Sequence, residues 1–181
     1  MAATVYIRRW TGDGGGPTKT NITSTNTRAN AEDGHSIAGT TNSILVPVVG
    51  FNYSYWVATR LSVEAITGGT VDNLRWYTDG TNNFGTGVTC KSNTASNYTQ
   101  ATGTPGQTGT QLATGNYSSL SGTPVDIFTF TSASPKTVTG TTSTTGDLGD
   151  FFVYQIEVAS NAQSGATAAE TFTWKYDDTS A

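Results

Sequence analysis

The chain has 181 residues, with 9 Lys/Arg against 13 Asp/Glu, a formal net charge of −4 and only 12% charged residues. The size suits one domain with a real core. The basic residues are scattered, which argues against nucleic acid as a partner, and no apolar run approaches the roughly 20 residues of a membrane-spanning helix.

Residues 5–10 form the first strand pattern, ended by the turn Gly12-Asp13-Gly14-Gly15-Gly16-Pro17. Residues 1–20 are a candidate extended N-terminal arm. The opening Met1-Ala2-Ala3-Thr4-Val5-Tyr6 lacks the basic stretch and continuous apolar core of an export leader. The expectation is either that a leader is missing from the sequence or that the protein is made in the cytosol and leaves by a route other than secretion. Residues 21–30, rich in Thr and Asn, suit a polar edge strand or an extended connection. Residues 43–48 are apolar, and Pro47 places them at a sheet edge or a bulge.

Residues 52–66 give the clearest pattern in the chain. Tyr53, Tyr55, Val57, Thr59, Leu61, Val63 and Ala65 alternate with Trp56, Ala58, Arg60, Ser62 and Glu64. A run that long exceeds the ordinary strand, so a bulge or a crossing between sheets is expected. Residues 73–78 follow, then short patterns at 88–91 and 98–101. Residues 102–123 have no periodicity and read as a long surface excursion, which in a compact domain usually has a task. Alternation returns at 126–131, briefly at 136–139, and strongly at 151–159 and 170–176. Residues 140–149 read as a polar loop, and 162–170 as one helical turn at most. Thr is abundant, and its β-branched, hydroxylated side chain suits strands and turns. The expected fold is all-β: a single-domain β-sandwich, jelly-roll-like, with long polar loops.

Few residues carry chemistry. The single cysteine, Cys90, excludes an intrachain disulfide and reads as a small buried apolar residue. The single histidine, His35, lies in Glu32-Asp33-Gly34-His35-Ser36, where a Gly-containing loop offers no rigid platform for a triad. The acids are scattered through turns, without the flanking pair a glycosidase needs. One Cys and one His cannot build a zinc site. The expectation is no enzyme activity and no cofactor. Calcium is the one candidate, at Asp72-Asn73 and Asp79-Gly80-Thr81-Asn82-Asn83, which lack a calcium-loop pattern and equally suit turns.

The aromatic residues point to contact. Trp and Tyr fill sandwich cores, but exposed aromatic area marks a surface for another subunit or a sugar ring. Trp10, Trp56, Arg75, Trp76 and Tyr77 are the candidate contact residues, with Arg75-Trp76-Tyr77 before the Asp79-Gly80 turn the foremost.

Three segments carry a resemblance: Tyr6-Ile7-Arg8-Arg9-Trp10-Thr11-Gly12, Asp72-Asn73-Leu74-Arg75-Trp76-Tyr77-Thr78-Asp79-Gly80, and Glu170-Thr171-Phe172-Thr173-Trp174-Lys175-Tyr176-Asp177-Asp178. Through them the chain resembles the small β-rich virion structural proteins of tailed bacteriophages. The resemblance implies a capsid decoration or minor head or tail subunit, made in the host cytoplasm and released by lysis. It implies partners among other virion proteins, in a homo-oligomer or a capsid or tail lattice, with no nucleic acid and no membrane. The alternative is a carbohydrate- or receptor-binding module, with a glycan as ligand.

Overall fold

The structure is a computed structural model that describes residues 2–37 and 41–180. The strands are β1 (Thr4–Thr11), β2 (Thr18–Asn21), β3 (Phe51–Tyr53), β4 (Val57–Ala65), β5 (Val71–Tyr77), β6 (Val88–Ala95), β7 (Gly103–Thr104), β8 (Thr108–Gly109), β9 (Val125–Asp126), β10 (Lys136–Thr137), β11 (Gly146–Ala159) and β12 (Thr173–Asp178). A 3-10 turn, Ile127–Thr129, is the only helical element among the described residues. The large sheet runs β2-β1-β4-β11-β6-β9, with β3 also on β11, and the small sheet runs β10-β5-β12. All strand pairs are antiparallel. The all-β sandwich expected from the sequence is the fold of the chain.

The long pattern at 52–66 is two strands in line, β3 and β4, both paired with β11 and parted at Ser54-Tyr55-Trp56. β11 carries the matching irregularity between Leu148 and Phe152. Gly149 sits there at φ +74°, where a Cβ would meet the Thr139 carbonyl and Leu74. No other residue fits that conformation and that approach together.

Both faces of the large sheet are apolar, and each has a cover. On one face Val57, Leu61 and Val63 join Phe152, Tyr154, Ile156, Val88 and Cys90 against Val71, Leu74 and Trp76 of the small sheet. Trp76 stacks on Phe152 with ring centroids 3.8 Å apart and planes at 16°. On the other face Trp56, Ala58, Ala95, Phe151 and Val153 pack against Ala31, Ala101, Leu112, Tyr117 and Leu120. That second cover is irregular chain. Residues 102–123 are therefore no surface excursion; they roof a core.

Gln155 fastens the roof. Its buried carboxamide donates to the Ser54 carbonyl (2.7 Å) and the Thr110 carbonyl (2.7 Å), and accepts from the Leu112 amide (2.6 Å). Ser54 Oγ accepts from the Ile156 amide (3.0 Å), filling a rung where the strand breaks. Gly109 passes so close to the Ser54 carbonyl that any Cβ there would collide with it.

Four further sequence expectations are corrected. The candidate arm at 1–20 is structural: β1 lies between β2 and β4, and the Ala3 amide donates to Asp178 (2.7 Å). Residues 43–48 form no strand; Pro47 lacks the N–H a ladder needs, and the segment lies exposed along the surface. Residues 98–101 form no strand either, being drawn into the roof by the Trp56 indole N–H, which donates to the Thr99 carbonyl (3.0 Å). At 126–131 the alternation gives way to the 3-10 turn, because Asp126 caps the Phe128 amide (2.9 Å) and Ile127 and Phe128 are both buried.

Two substitutions separate the two covers. Trp76→Ala empties the small-sheet interface and is expected to cost about 3–5 kcal/mol. Gln155→Leu keeps the volume but orphans up to three buried backbone groups, at about 1–3 kcal/mol each. Urea unfolding of both variants checks these values; a loss under about 1 kcal/mol at either site contradicts its assigned role.

Candidate functional site

The five contact candidates do not meet at one place. Trp76 and Trp56 are buried, at 1% and 4% exposure, so the expectation that they form an outer contact surface is corrected. Trp56 packs on Tyr117 at 5.4 Å beneath the roof. Arg75 and Tyr77 are half-buried on the outer side of β5, opposite Lys175 and Thr173 of β12. Arg75 pairs with Asp177 at 3.0 Å. Only Trp10 lies at an opening.

That opening is a cleft of about 300 Å³ lined by Trp10, Gly14, Arg60, Ser96, Asn97, Tyr98 and Phe151. Phe151, buried, meets the Trp10 ring edge-to-face at 4.9 Å, and Tyr98 tilts against Trp10 at 5.6 Å. The Tyr98 hydroxyl donates to the Gly12 carbonyl (3.0 Å), which ties the Gly-rich turn to the aromatic group. Two cations flank the rings. Lys19 Nζ sits 4.2 Å from the Trp10 centroid and pairs with Asp147 at 2.7 Å. The Arg60 guanidinium lies 5.0 Å from the Phe151 ring and 6.0 Å from Trp10. Arg60 forms no ion pair among the described residues, and its Nε and the Trp10 Nε1 are buried donors without an acceptor.

A second feature is the rim formed by residues 44–51. Leu45, Val46, Val48, Val49 and Phe51 are all exposed, Val49 at 85% and Phe51 at 54%. No Lys, Arg, Asp or Glu occurs between Asp33 and Arg60. β3 at the end of this rim pairs with β11 on one side only, and on the other the Tyr53 amide donates to Thr108 Oγ1 (2.9 Å).

The remaining chemical candidates are spread apart. His35 Nδ1 lies 3.1 Å from Thr27 Oγ1. Asp33 accepts from the Gly12 amide (3.0 Å) and Gln100 (3.0 Å), while Glu32 accepts from Asn42 (2.6 Å). Burial, with the Arg9 charge behind it, lowers the His35 pKa. Cys90 is fully buried, and burial pushes its thiol well up. In the calcium candidates, Asp79 accepts from the Thr81 amide (2.8 Å) and Asn82 from the Phe84 amide (3.0 Å), both ordinary turn contacts. Asn73 donates to Asp177 (2.6 Å). Among the described residues no three His, Cys, Asp or Glu side chains gather around a common point, and no helix is long and apolar enough to cross a membrane.

Arg60, Tyr98 and Phe151 escaped the sequence reading. Their signal was present in part, since Arg60 is a charge set among Val57, Ala58, Leu61 and Val63. The exposed rim also left one: an apolar run broken by proline at Pro47. No family model, no curated protein and no solved structure matches the chain.

The buried tyrosines of the two cores give a titration test. Burial raises the Tyr117 phenol to about 12 and lifts Tyr98 and Tyr154 as well. Their ordinary pKa is about 10, so the unfolded chain releases these protons first and the folded chain is the tighter proton binder. Their contribution to stability is complete below about pH 10 and is lost as pH rises through the folded-state values. Tyr53 and Tyr55 are raised as well, by burial first, and phenolate absorbance is expected to show these five of the 8 tyrosines lagging behind the rest. If Tyr98 and Tyr117 titrate with the others near pH 10 while the fold persists, the roof is open.

Proposed function

We propose that the protein is a non-catalytic structural subunit that works by contact with copies of itself, in the setting of a phage particle. The observation that carries this is the charge-free apolar rim at 44–51. Exposed apolar area of this kind marks a protein contact. A surface without charge is also self-complementary, so two copies can meet there although each carries a net charge of −4. The virion setting, as a capsid decoration or minor head or tail subunit, rests on the sequence resemblance. The glycan-binding alternative draws support from the Trp10 cleft alone.

Native mass spectrometry tests the contact. The wild-type chain is expected at a multiple of 18.9 kDa, and the double variant Val48→Asp, Val49→Asp at the mass of one chain. Because both side chains are exposed, the variant should keep its stability within about 0.5 kcal/mol. A wild-type protein that stays monomeric at high micromolar concentration overturns the homo-oligomeric contact.

A further inference from the structure

The cleft beside Trp10 is separate from the rim and holds an unmet chemical demand. Arg60 leaves a central strand with its guanidinium stacked near Phe151 and Trp10, and no carboxylate among the described residues answers it. The nearby acids are engaged elsewhere: Asp147 on Lys19 (2.7 Å), and Asp13 on the Gly15 amide (3.0 Å). Buried donors almost always have acceptors, yet Arg60 Nε and Trp10 Nε1 have none. Among the described residues both N–H groups are left unmet.

We propose that this cleft binds a carboxylate-bearing sugar, with its acid group on Arg60 and its ring against Trp10 and Tyr98. Guanidinium is the side chain suited to a planar carboxylate, which it can grip with two parallel hydrogen bonds. Aromatic faces accept the C–H side of a pyranose. The cleft mouth supplies polar partners in exposed Ser96 and Asn97, where Asn97 Nδ2 reaches Ser96 Oγ at 3.3 Å. Lys19 covers the Trp10 ring from its side, with its charge answered by Asp147. The volume of about 300 Å³ stands at the low end of small-ligand sites, about 300–1,000 Å³, which suits one sugar residue rather than a folded peptide. Phe151 forms a floor that does not move, since it is buried in the second core.

The test uses trigalacturonate as probe, with its methyl ester as the uncharged counterpart, followed through the Trp10 indole N–H resonance. Trigalacturonate is expected to shift that resonance, and the methyl ester to bind about tenfold to hundredfold more weakly, as loss of a charged hydrogen-bonded pair dictates. This comparison needs no variant. Arg60→Gln should weaken the acid and leave the ester unchanged, while Arg60→Lys, which keeps charge but not the fork, should fall between. Three results overturn the proposal: no shift with trigalacturonate at millimolar concentration, equal binding of acid and ester, or equal binding of a triglutamate peptide. Sulfate producing the whole effect, with no gain from the sugar ring, overturns it too.

Discussion

The structure depends on β11 being buried on both faces. Phe152, Tyr154 and Ile156 face one core, and Phe151 and Val153 the other. A sandwich of two sheets covers only one of these, so the second face needs a roof, and the chain makes it from irregular backbone. Such backbone is stable under a lid only if its N–H and C=O groups find partners. Gln155 meets that condition at its centre, since one carboxamide replaces three rungs that no strand supplies. At the roof's far end the Tyr117 hydroxyl donates to the Asn97 carbonyl (3.0 Å), and the Thr99 amide donates to it in turn (3.1 Å). The high Thr, Ser and Asn content follows from the same condition. Hydroxyls and amides carry local bonds to backbone that repeated strands would otherwise provide.

The edges of the large sheet show the same economy with one exception. β2 at one side presents Lys19, paired to Asp147, and β9 at the other presents the Asp126 cap. Charge and turns at an edge discourage further pairing. β3 has neither device; its outer side is met instead by Thr108, whose Oγ1 accepts from the Tyr53 amide (2.9 Å). Its rim is apolar, uncharged and broken by proline, and that exposed surface is what the proposed contact between copies rests on.

The sequence made the strands legible where alternation was strict: β1, β4, β12 and the 151–159 part of β11 fall on segments whose period-two pattern is plain, whereas the first residues of β11, from Gly146, lie in what read as a polar loop. It did not reveal which faces were covered. Alternation separates the two sides of a strand, but when both sides are buried it no longer tells inside from outside. That is why Trp56 and Trp76 read as surface and proved to be core. The roof at 102–123 was illegible for another reason. Its order comes from Gln155, Ser54 and Asn97, which lie far from it in sequence, and nothing within the loop announces them. Trp10 was legible as an aromatic at a strand end, whereas its neighbours Arg60, Tyr98 and Phe151 come from β4, a roof loop and β11.

Two arginines on adjacent strands show what distinguishes a structural charge from a functional one. Arg9 is fully buried, and its burial lowers its pKa, yet Nη1 donates to Thr27 Oγ1 (2.7 Å) and the Arg28 carbonyl (2.6 Å). Those bonds pin the 22–36 connection against the sheet, although Arg9 Nε, like Arg60 Nε, is a buried donor without an acceptor among the described residues. Arg60 is less buried, and its guanidinium meets the Phe151 and Trp10 rings but no backbone carbonyl or carboxylate among the described residues. An apolar residue there would join its neighbours without desolvating a charge, and by stability alone would be preferred. A charge that breaks the local pattern with ring contacts but no ion pair, as Arg60 does beside Phe151 and Trp10, is the kind of departure on which the proposed ligand of the cleft rests.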